Sequence, residues 1–207
     1  MRTLWLQWGG NVDLADSFGL SNLQYPLCYN IPRTAWSEDQ KTIFLYFKNP
    51  FSIYADLLVE LDKTVGPSNT DTMVAQFIRS YRICIGKAEK AISSIIDGPT
   101  VRDIVVGQYY SRFHDNSNLI SKPLYTDNIN TIFKDIDIQI NGQSFPINVE
   151  HSLGDRTIPF LSKFTTLNPG DLVSLGTLIF KNKLMDRELS IDITIDNWYH
   201  SVSISEG

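Results

Sequence analysis

The sequence is poor in cysteine and has no long apolar run. Cys28 and Cys84 are the only cysteines among 207 residues, and they are far apart. We therefore expect two reduced thiols rather than a disulfide framework or a zinc motif. No stretch approaches the roughly 20 apolar residues of a membrane span. The apolar start is too short and too interrupted for a signal peptide, so we expect a cytoplasmic protein without membrane contact.

Clusters of basic residues are also missing. The chain has 18 Lys and Arg against 23 Asp and Glu, a formal net charge of -5. Phosphate binding needs clustered Lys and Arg, so nucleic acid is not an expected partner. The hydrophobic content of 43% is ordinary for a globular protein. The length suits one domain with a sizeable core, or one domain with a small appendage.

Alternating apolar residues predict that the C-terminal half is mainly β. Ile136, Ile138 and Ile140 alternate with polar residues, and Asn141-Gly142 then predicts a two-residue hairpin turn. Further strands are predicted over residues 145–149, 189–195 and 199–204, and a helix over residues 158–164.

The N-terminal half mixes several element types. Residues 1–40 are aromatic and predicted to be loop-like, and residues 51–62 fit either a strand or a short helix. The other predicted elements are strands over residues 42–48, 82–86 and 108–113 and helices over residues 87–96 and 101–106.

Several short motifs follow one another in order along residues 40–204. They are Phe-Leu-Tyr-Phe-Lys-Asn-Pro at 44–50, Ile-Cys-Ile-Gly-Lys at 83–87, the segment 101–107, Ser121-Lys122, Ile-Gln-Ile-Asn-Gly-Gln at 138–143, Pro169-Gly170-Asp171 and Gly176-Thr177. In this order they resemble the C-terminal catalytic domain of the fumarylacetoacetate hydrolase family. The resemblance implies a mainly β (α+β) fold, a mixed β-sandwich roll with a few short helices.

The resemblance also implies a domain organisation and an assembly. Residues 41–207 correspond to the β-roll domain, and residues 1–40 form an N-terminal aromatic segment that we interpret as a lid or a dimer contact. The family usually forms dimers. We therefore expect a homodimer, or a hetero-oligomer with an intact paralogue.

The family's metal ligands have no counterparts at the matching positions. The resemblance places a Glu-x-Glu pair at Ile78 and Ser80 and an aspartate at Phe113, and none of these residues is acidic. A slip of two residues brings Asp115 into the aspartate's place, but no such slip supplies the glutamates. Hard cations such as Mg²⁺ need oxygen ligands. We therefore expect no cofactor, with the family's Mg²⁺ site absent.

Candidate catalytic residues follow from the resemblance and from local spacing. Lys122 matches the family's active-site lysine, and Arg112 is a second cation for an enolate or a carboxylate. His114 and Asp115 pair as an oriented base if the strand ends after Phe113, whereas a solvated loop is the other interpretation. Asp192, Asp196 and His200 could suggest a metal site, but the two aspartates share the exposed face of one predicted strand, so we interpret them as solvated charges.

Candidate substrate-binding residues are Thr177, Gly176 and Phe113. The family lets the backbone and hydroxyl of the Gly-Thr pair approach the substrate. The alternative for Thr177 is a residue that only supports the sheet.

Three functions are compatible with these observations. The first is a divergent, metal-independent enzyme of this family that acts on a small 2-oxo acid or β-dicarbonyl compound. It would isomerise, cyclise, decarboxylate or cleave a C–C bond through an enolate, in a specialised biosynthetic pathway. The second is an inactive relative that serves as a partner subunit or ligand-binding protein. The third is an unrelated β-rich binding module. We favour the enzyme, with a small molecule as its substrate.

Overall fold

Two mixed β-sheets make up most of the part of the chain that the structure describes. The computed structural model describes residues 2–8, 27–46, 50–67, 76–89, 115–126, 129–147 and 151–207. Within these ranges the strands are β1 (Leu4–Trp8), β2 (Leu27–Ile31), β3 (Trp36–Ser37), β4 (Thr42–Leu45), β5 (Phe51–Leu61), β6 (Ile78–Glu89), β7 (Asn118–Ile120), β8 (Ile136–Ile140), β9 (Gln143–Phe145), β10 (Leu172–Leu184), β11 (Leu189–Ile195) and β12 (Trp198–Glu206).

Short helices connect some of these strands. They are a 3-10 turn at Arg33–Ala35, α1 (Ile129–Asp135) and α2 (His151–Ser162). No helix in the described ranges is long and apolar enough to cross a membrane. The predicted mainly β fold is confirmed.

The larger sheet has seven strands in the order β2-β1-β10-β5-β6-β7-β3. β1 pairs with β10 in parallel, and β10, β5 and β6 are antiparallel neighbours. The smaller sheet has the order β4-β12-β11-β8-β9, with β4 parallel to β12. The main hydrophobic core combines apolar side chains of both sheets, such as Ile53 and Leu57 of β5 with Ile191 and Ile193 of β11.

The smaller sheet follows the predicted alternation. Leu189, Ile191, Ile193 and Ile195 of β11 are buried, and the polar residues between them are more exposed. At the β8–β9 turn, Asn141-Gly142 has φ angles of 50° and 75°, which the predicted hairpin turn requires. These predictions are confirmed.

β5 is buried along its whole length because it is paired on both sides and covered on both faces. This settles the choice between strand and helix for residues 51–62. Ile53, Ala55 and Leu57 point into the main core, so alternate residues face the other side of the sheet. Tyr54 and Leu58 on that outer face belong to a second core, which includes Leu4, Leu6, Ile31 and Trp36.

Four predictions differ from the structure. Lys87–Glu89 continues strand β6 instead of starting a helix, because these residues pair with Phe51–Ile53. Residues 4–8 and 27–31 are paired strands rather than loop, while the role of residues 1–40 as lid or dimer contact stays a prediction. Strand β9 ends at Phe145, and helix α2 begins earlier than predicted.

Other predicted features concern the cysteines or lie outside the described ranges. The predicted elements over residues 90–96, 101–106 and 108–113 lie outside them. Both cysteines are free thiols, as predicted. Burial raises the pKa of Cys28 to about 12, so this thiol is protonated at neutral pH.

We expect Gly86→Ala to destabilise the protein by about 1–3 kcal/mol, because the new methyl group overpacks the core. A Cβ at Gly86 would lie 2.1 Å from Cζ of the buried Tyr54 ring. Urea unfolding of Gly86→Ala, Tyr54→Leu and the double variant measures the coupling between the two positions. The penalty of Gly86→Ala should be smaller when Tyr54 is leucine. An equal penalty in both backgrounds would contradict this packing.

Candidate functional site

A row of buried side chains crosses the outer face of the larger sheet. Thr177 of β10 lies opposite Asp56 of β5, and Asp56 lies opposite Cys84 of β6. All three residues are fully buried. Because residues opposite each other in a sheet share a face, the Asp56 carboxylate lies between a hydroxyl and a thiol. Burying a carboxylate is costly, so this position is unusual for aspartate.

The backbone beside Thr177 is irregular. The β10–β5 pairing shifts register between Ser174 and Gly176 and again between Thr177 and Ile179. Gly176 has φ 144°, which favours glycine, and its amide donates to Ser174 Oγ over 3.1 Å. Such bulges redirect side chains and are frequent beside active sites. Here the irregular pairing places Thr177 opposite Asp56 on the outer face.

A tyrosine occupies the space on one side of Asp56. Tyr54 lies two residues earlier on the same strand, and its ring packs directly over Gly86. Its hydroxyl donates to Asn118 Oδ1, and Asn118 Nδ2 donates to the Ala35 carbonyl over 2.8 Å. The ring is therefore held at both its face and its tip. Any ligand at Asp56 must approach from another direction or displace this ring.

On the other side of Asp56, Glu60 anchors a network of ion pairs. Glu60 Oε2 accepts from Arg82 Nε over 2.8 Å and from Ser80 Oγ over 3.1 Å, and Arg2 lies 3.0 Å away. Arg82 and Arg2 also bind Glu38, over 2.8 Å and 2.5 Å. Arg2 and Arg82 thus each bind both glutamates, which offsets the cost of burying the charges.

These contacts shift the titration of Glu60. Burial raises the pKa of Glu60, but the hydrogen bond and charge of Arg82, the charge of Arg2 and the Ser80 hydroxyl outweigh it. The pKa of Glu60 therefore lies below its ordinary value of 4.5. The carboxylate stays ionised at neutral pH and does not serve as a proton donor there.

Lys122 lies in a separate place from Thr177. It is exposed and lines a groove of about 570 Å³ that also contains Lys41 and His200. Ile120, two residues before Lys122, is opposite Cys84 and lies three strands across from Thr177. Three strand spacings separate Thr177 from Ile120 by about 14 Å. The structure therefore does not bring Lys122 together with Gly176 and Thr177, and its catalytic role stays a prediction.

The remaining predicted residues lie on or near a segment that the structure does not describe. Asp115 is exposed and lines a shallow groove with Arg33 and Trp36. Arg112, Phe113 and His114 lie outside the described residues. The predicted His114–Asp115 pair and the substrate contact of Phe113 stay predictions.

The described residues do not match the donor set of a hard cation. Ile78 offers a hydrocarbon, and the Ser80 hydroxyl is bound to Glu60. Asp56 and Glu60 are four residues apart on one strand, about 13 Å, too far to share an ion. Across the described ranges, no three His, Cys, Asp or Glu side chains are grouped to hold a metal.

The residues that the sequence analysis missed are Asp56, Glu60 and their partners. Asp56 interrupts an otherwise apolar run, and the two acids lie on one face at strand period. That spacing was a signal for buried polar residues. Their partners Arg2, Glu38 and Arg82 have no local signal, because they are 22 to 58 positions from Glu60 in sequence.

Comparisons with known proteins identify the fold. No protein-family model matches this sequence, and no curated protein matches it. Among solved structures, the fumarylpyruvate hydrolase from Pseudomonas aeruginosa in complex with Mn²⁺ and pyruvate is similar, with a TM-score of 0.76 and 16% identity over 100% of this chain and 91% of that chain. The 5-carboxymethyl-2-hydroxymuconate delta-isomerase from Mycobacterium smegmatis has a TM-score of 0.71 and 18% identity over 100% of this chain and 80% of that chain.

We expect Arg82→Met to destabilise the protein by about 3–5 kcal/mol, because it leaves Glu60 buried without its main partner. Arg79→Met is the matched control. Arg79 also faces Glu60, but over 3.7 Å and with 57% of its side chain exposed, so its loss should cost less than about 1 kcal/mol. Denaturant unfolding measures both. Equal effects of the two substitutions would contradict the assigned role of Arg82.

Acid should weaken the fold partly through Glu60. Its pKa is lowered in the folded state, so its stabilisation is complete above the unfolded value near 4.5 and is lost as pH falls through the folded value. We expect the free energy of unfolding to decrease more steeply below pH 4.5 in the wild type than in Glu60→Gln. Urea titrations across this pH range measure the two slopes. Parallel slopes would exclude Glu60 as a source of acid sensitivity.

Proposed function

We propose that this chain is a divergent small-molecule enzyme on the fumarylacetoacetate hydrolase fold. Its substrate is a small 2-oxo acid or β-dicarbonyl compound that reacts through an enolate, without the divalent metal of the family. The observation that carries the proposal is the buried Asp56 carboxylate opposite Thr177. The names of the similar structures, a fumarylpyruvate hydrolase and a delta-isomerase, support the substrate class.

Asp56 and Thr177 suit the two halves of enolate chemistry. A carboxylate shielded from water takes the proton from the carbon next to the carbonyl group. The electron pair of that C–H bond forms a C=C bond, and the π pair of the C=O bond moves onto the oxygen. The Thr177 hydroxyl donates a hydrogen bond to the negative charge that develops there. Return of the proton to another carbon completes an isomerisation. This step needs no water, metal or redox partner.

We infer metal independence from the side chains that stand at the positions of the family's metal ligands. The positions that match the family's glutamates hold Ile78 and Ser80, and the Ser80 hydroxyl is engaged by Glu60. Arg112 then serves as the cation that binds the substrate carboxylate through two parallel hydrogen bonds. Lys122 is the alternative cation, although it lies in the separate groove.

A second candidate function is ligand binding without catalysis, as a partner subunit of an intact paralogue or within a homodimer. Tyr54 favours it. The ring packs over Gly86 and is tied to Asn118, so it occupies space directly beside Asp56. A filled site is typical of a protein that has lost turnover but kept its fold.

Proton exchange at carbon tests the two functions. We expect the wild type to exchange the α-protons of oxaloacetate or acetylpyruvate for deuterium in D₂O faster than the spontaneous rate, as measured by NMR. Asp56→Asn should slow this exchange by about 10²-fold or more, because it removes the general base. The control is Asp192→Asn, a partly exposed aspartate on β11 of the smaller sheet, and this variant should exchange at the wild-type rate. Thermal unfolding of each variant verifies folding.

Three results would contradict metal independence, the role of Asp56 as the base, or catalysis itself. Exchange that is lost after EDTA treatment and restored by Mg²⁺ would contradict metal independence. Exchange at the wild-type rate in Asp56→Asn would remove Asp56 as the base. Binding of these compounds by a wild type that does not accelerate their exchange would favour the second candidate function.

A further inference from the structure

The groove that contains Lys122 is built from three parts of the chain. Lys41 comes from the segment before β4, Lys122 comes after β7, and His200 lies on β12. The groove therefore lies where an end of the larger sheet meets β12 and β4 of the smaller sheet. Its volume of about 570 Å³ is within the range of small-molecule sites. Its lining includes neither Asp56 nor Thr177, so anion binding in this groove is measured independently of proton exchange at Asp56.

The negative charge of Glu38 on the wall of this groove is already neutralised. Glu38 lines the groove, but its two carboxylate oxygens bind Arg2 over 2.5 Å and Arg82 over 2.8 Å. A carboxylate held by two guanidinium groups has little capacity left to bind a lysine. Glu38 therefore closes one side of the groove without making it acidic.

The two lysines are left available. Within the ranges that the structure describes, neither Lys41 nor Lys122 forms an ion pair. Asp39 is the remaining acid on the wall, and it is exposed. Two lysines against one aspartate leave one excess positive charge in a protein whose formal net charge is -5. The field of the groove thus opposes that of the whole chain and attracts anions.

His200 adds a hydrogen-bonding group to the same wall. Its Nε2 atom is buried and has no hydrogen-bond partner among the described residues. Burial, and then the charge of Lys41, lower the pKa of His200 below its ordinary value of 6.5. The ring is therefore neutral at pH 7, and a neutral imidazole offers one nitrogen as a donor. A buried polar atom without a partner carries a free-energy cost that a ligand removes.

We propose that this groove binds a small oxyanion, a carboxylate or phosphate group, between Lys41, Lys122 and His200. Lysine ammonium groups act as compact point charges with three donors each, so they suit both kinds of anion. The groove is large enough for a ligand that carries such a group on a small organic body.

The test measures binding of succinate and of inorganic phosphate by calorimetry at constant ionic strength. We expect the wild type to bind one or both at millimolar concentration. The double variant Lys41→Gln/Lys122→Gln should bind at least about tenfold more weakly. The matched control is Lys63→Gln/Lys163→Gln, which removes the same charge from exposed positions outside the groove. It should retain wild-type affinity.

The relative affinities for succinate and phosphate show which oxyanion the groove binds. Succinate binding alone assigns a carboxylate, and phosphate binding alone assigns a phosphate group. The His200 ring resonances should shift in NMR spectra when the bound anion is added, and they should not shift in the groove variant. Lack of binding to the wild type, an equal loss in the control variant, or unmoved His200 resonances would overturn the site.

Discussion

The burial of β5 on both faces is the constraint on which the rest of this structure depends. β5 lies between β10 and β6, and every one of its residues is buried. Acidic side chains on this strand therefore sit in a medium of low dielectric constant, where a charge needs partners. Asp56 and Glu60 lie in that position on the outer face.

The two acids meet this constraint in different ways. Glu60 is ionised and held by Arg82, Arg2 and Ser80, so it organises structure at one end of the outer face. The same network neutralises Glu38, so Lys41 and Lys122 give the adjacent groove its positive charge. Asp56 lies instead beside Thr177 and the irregular backbone of Gly176, an arrangement that suits proton transfer. One strand thus carries a structural site and a candidate chemical site side by side.

The alternation of apolar and polar residues predicted the strands that have one buried face and one exposed face. β8, the Asn141-Gly142 turn and β11 have one face toward the core and one toward solvent, so alternation alone indicates them. The pattern failed for Lys87–Glu89, where small and apolar residues fit helical spacing but long-range pairing with β5 decides the conformation. It also missed the Glu60 network, since arginines distant in sequence meet only in the folded chain. Thr177 and Gly176 were found through a resemblance in motif order, and Asp56 only through its register opposite Thr177.

A crystal structure of the protein soaked with oxamate, a non-reacting analogue of a 2-oxo acid, tests whether Asp56 and Thr177 form the active site. We expect the carbonyl oxygen of oxamate within hydrogen-bonding distance of Thr177 Oγ1, its amide nitrogen facing the Asp56 carboxylate in place of the carbon that loses a proton, and no metal ion between them. A divalent ion held by carboxylates at that position would contradict this assignment. So would an analogue bound elsewhere while Tyr54 and its neighbours keep the Asp56–Thr177 row closed.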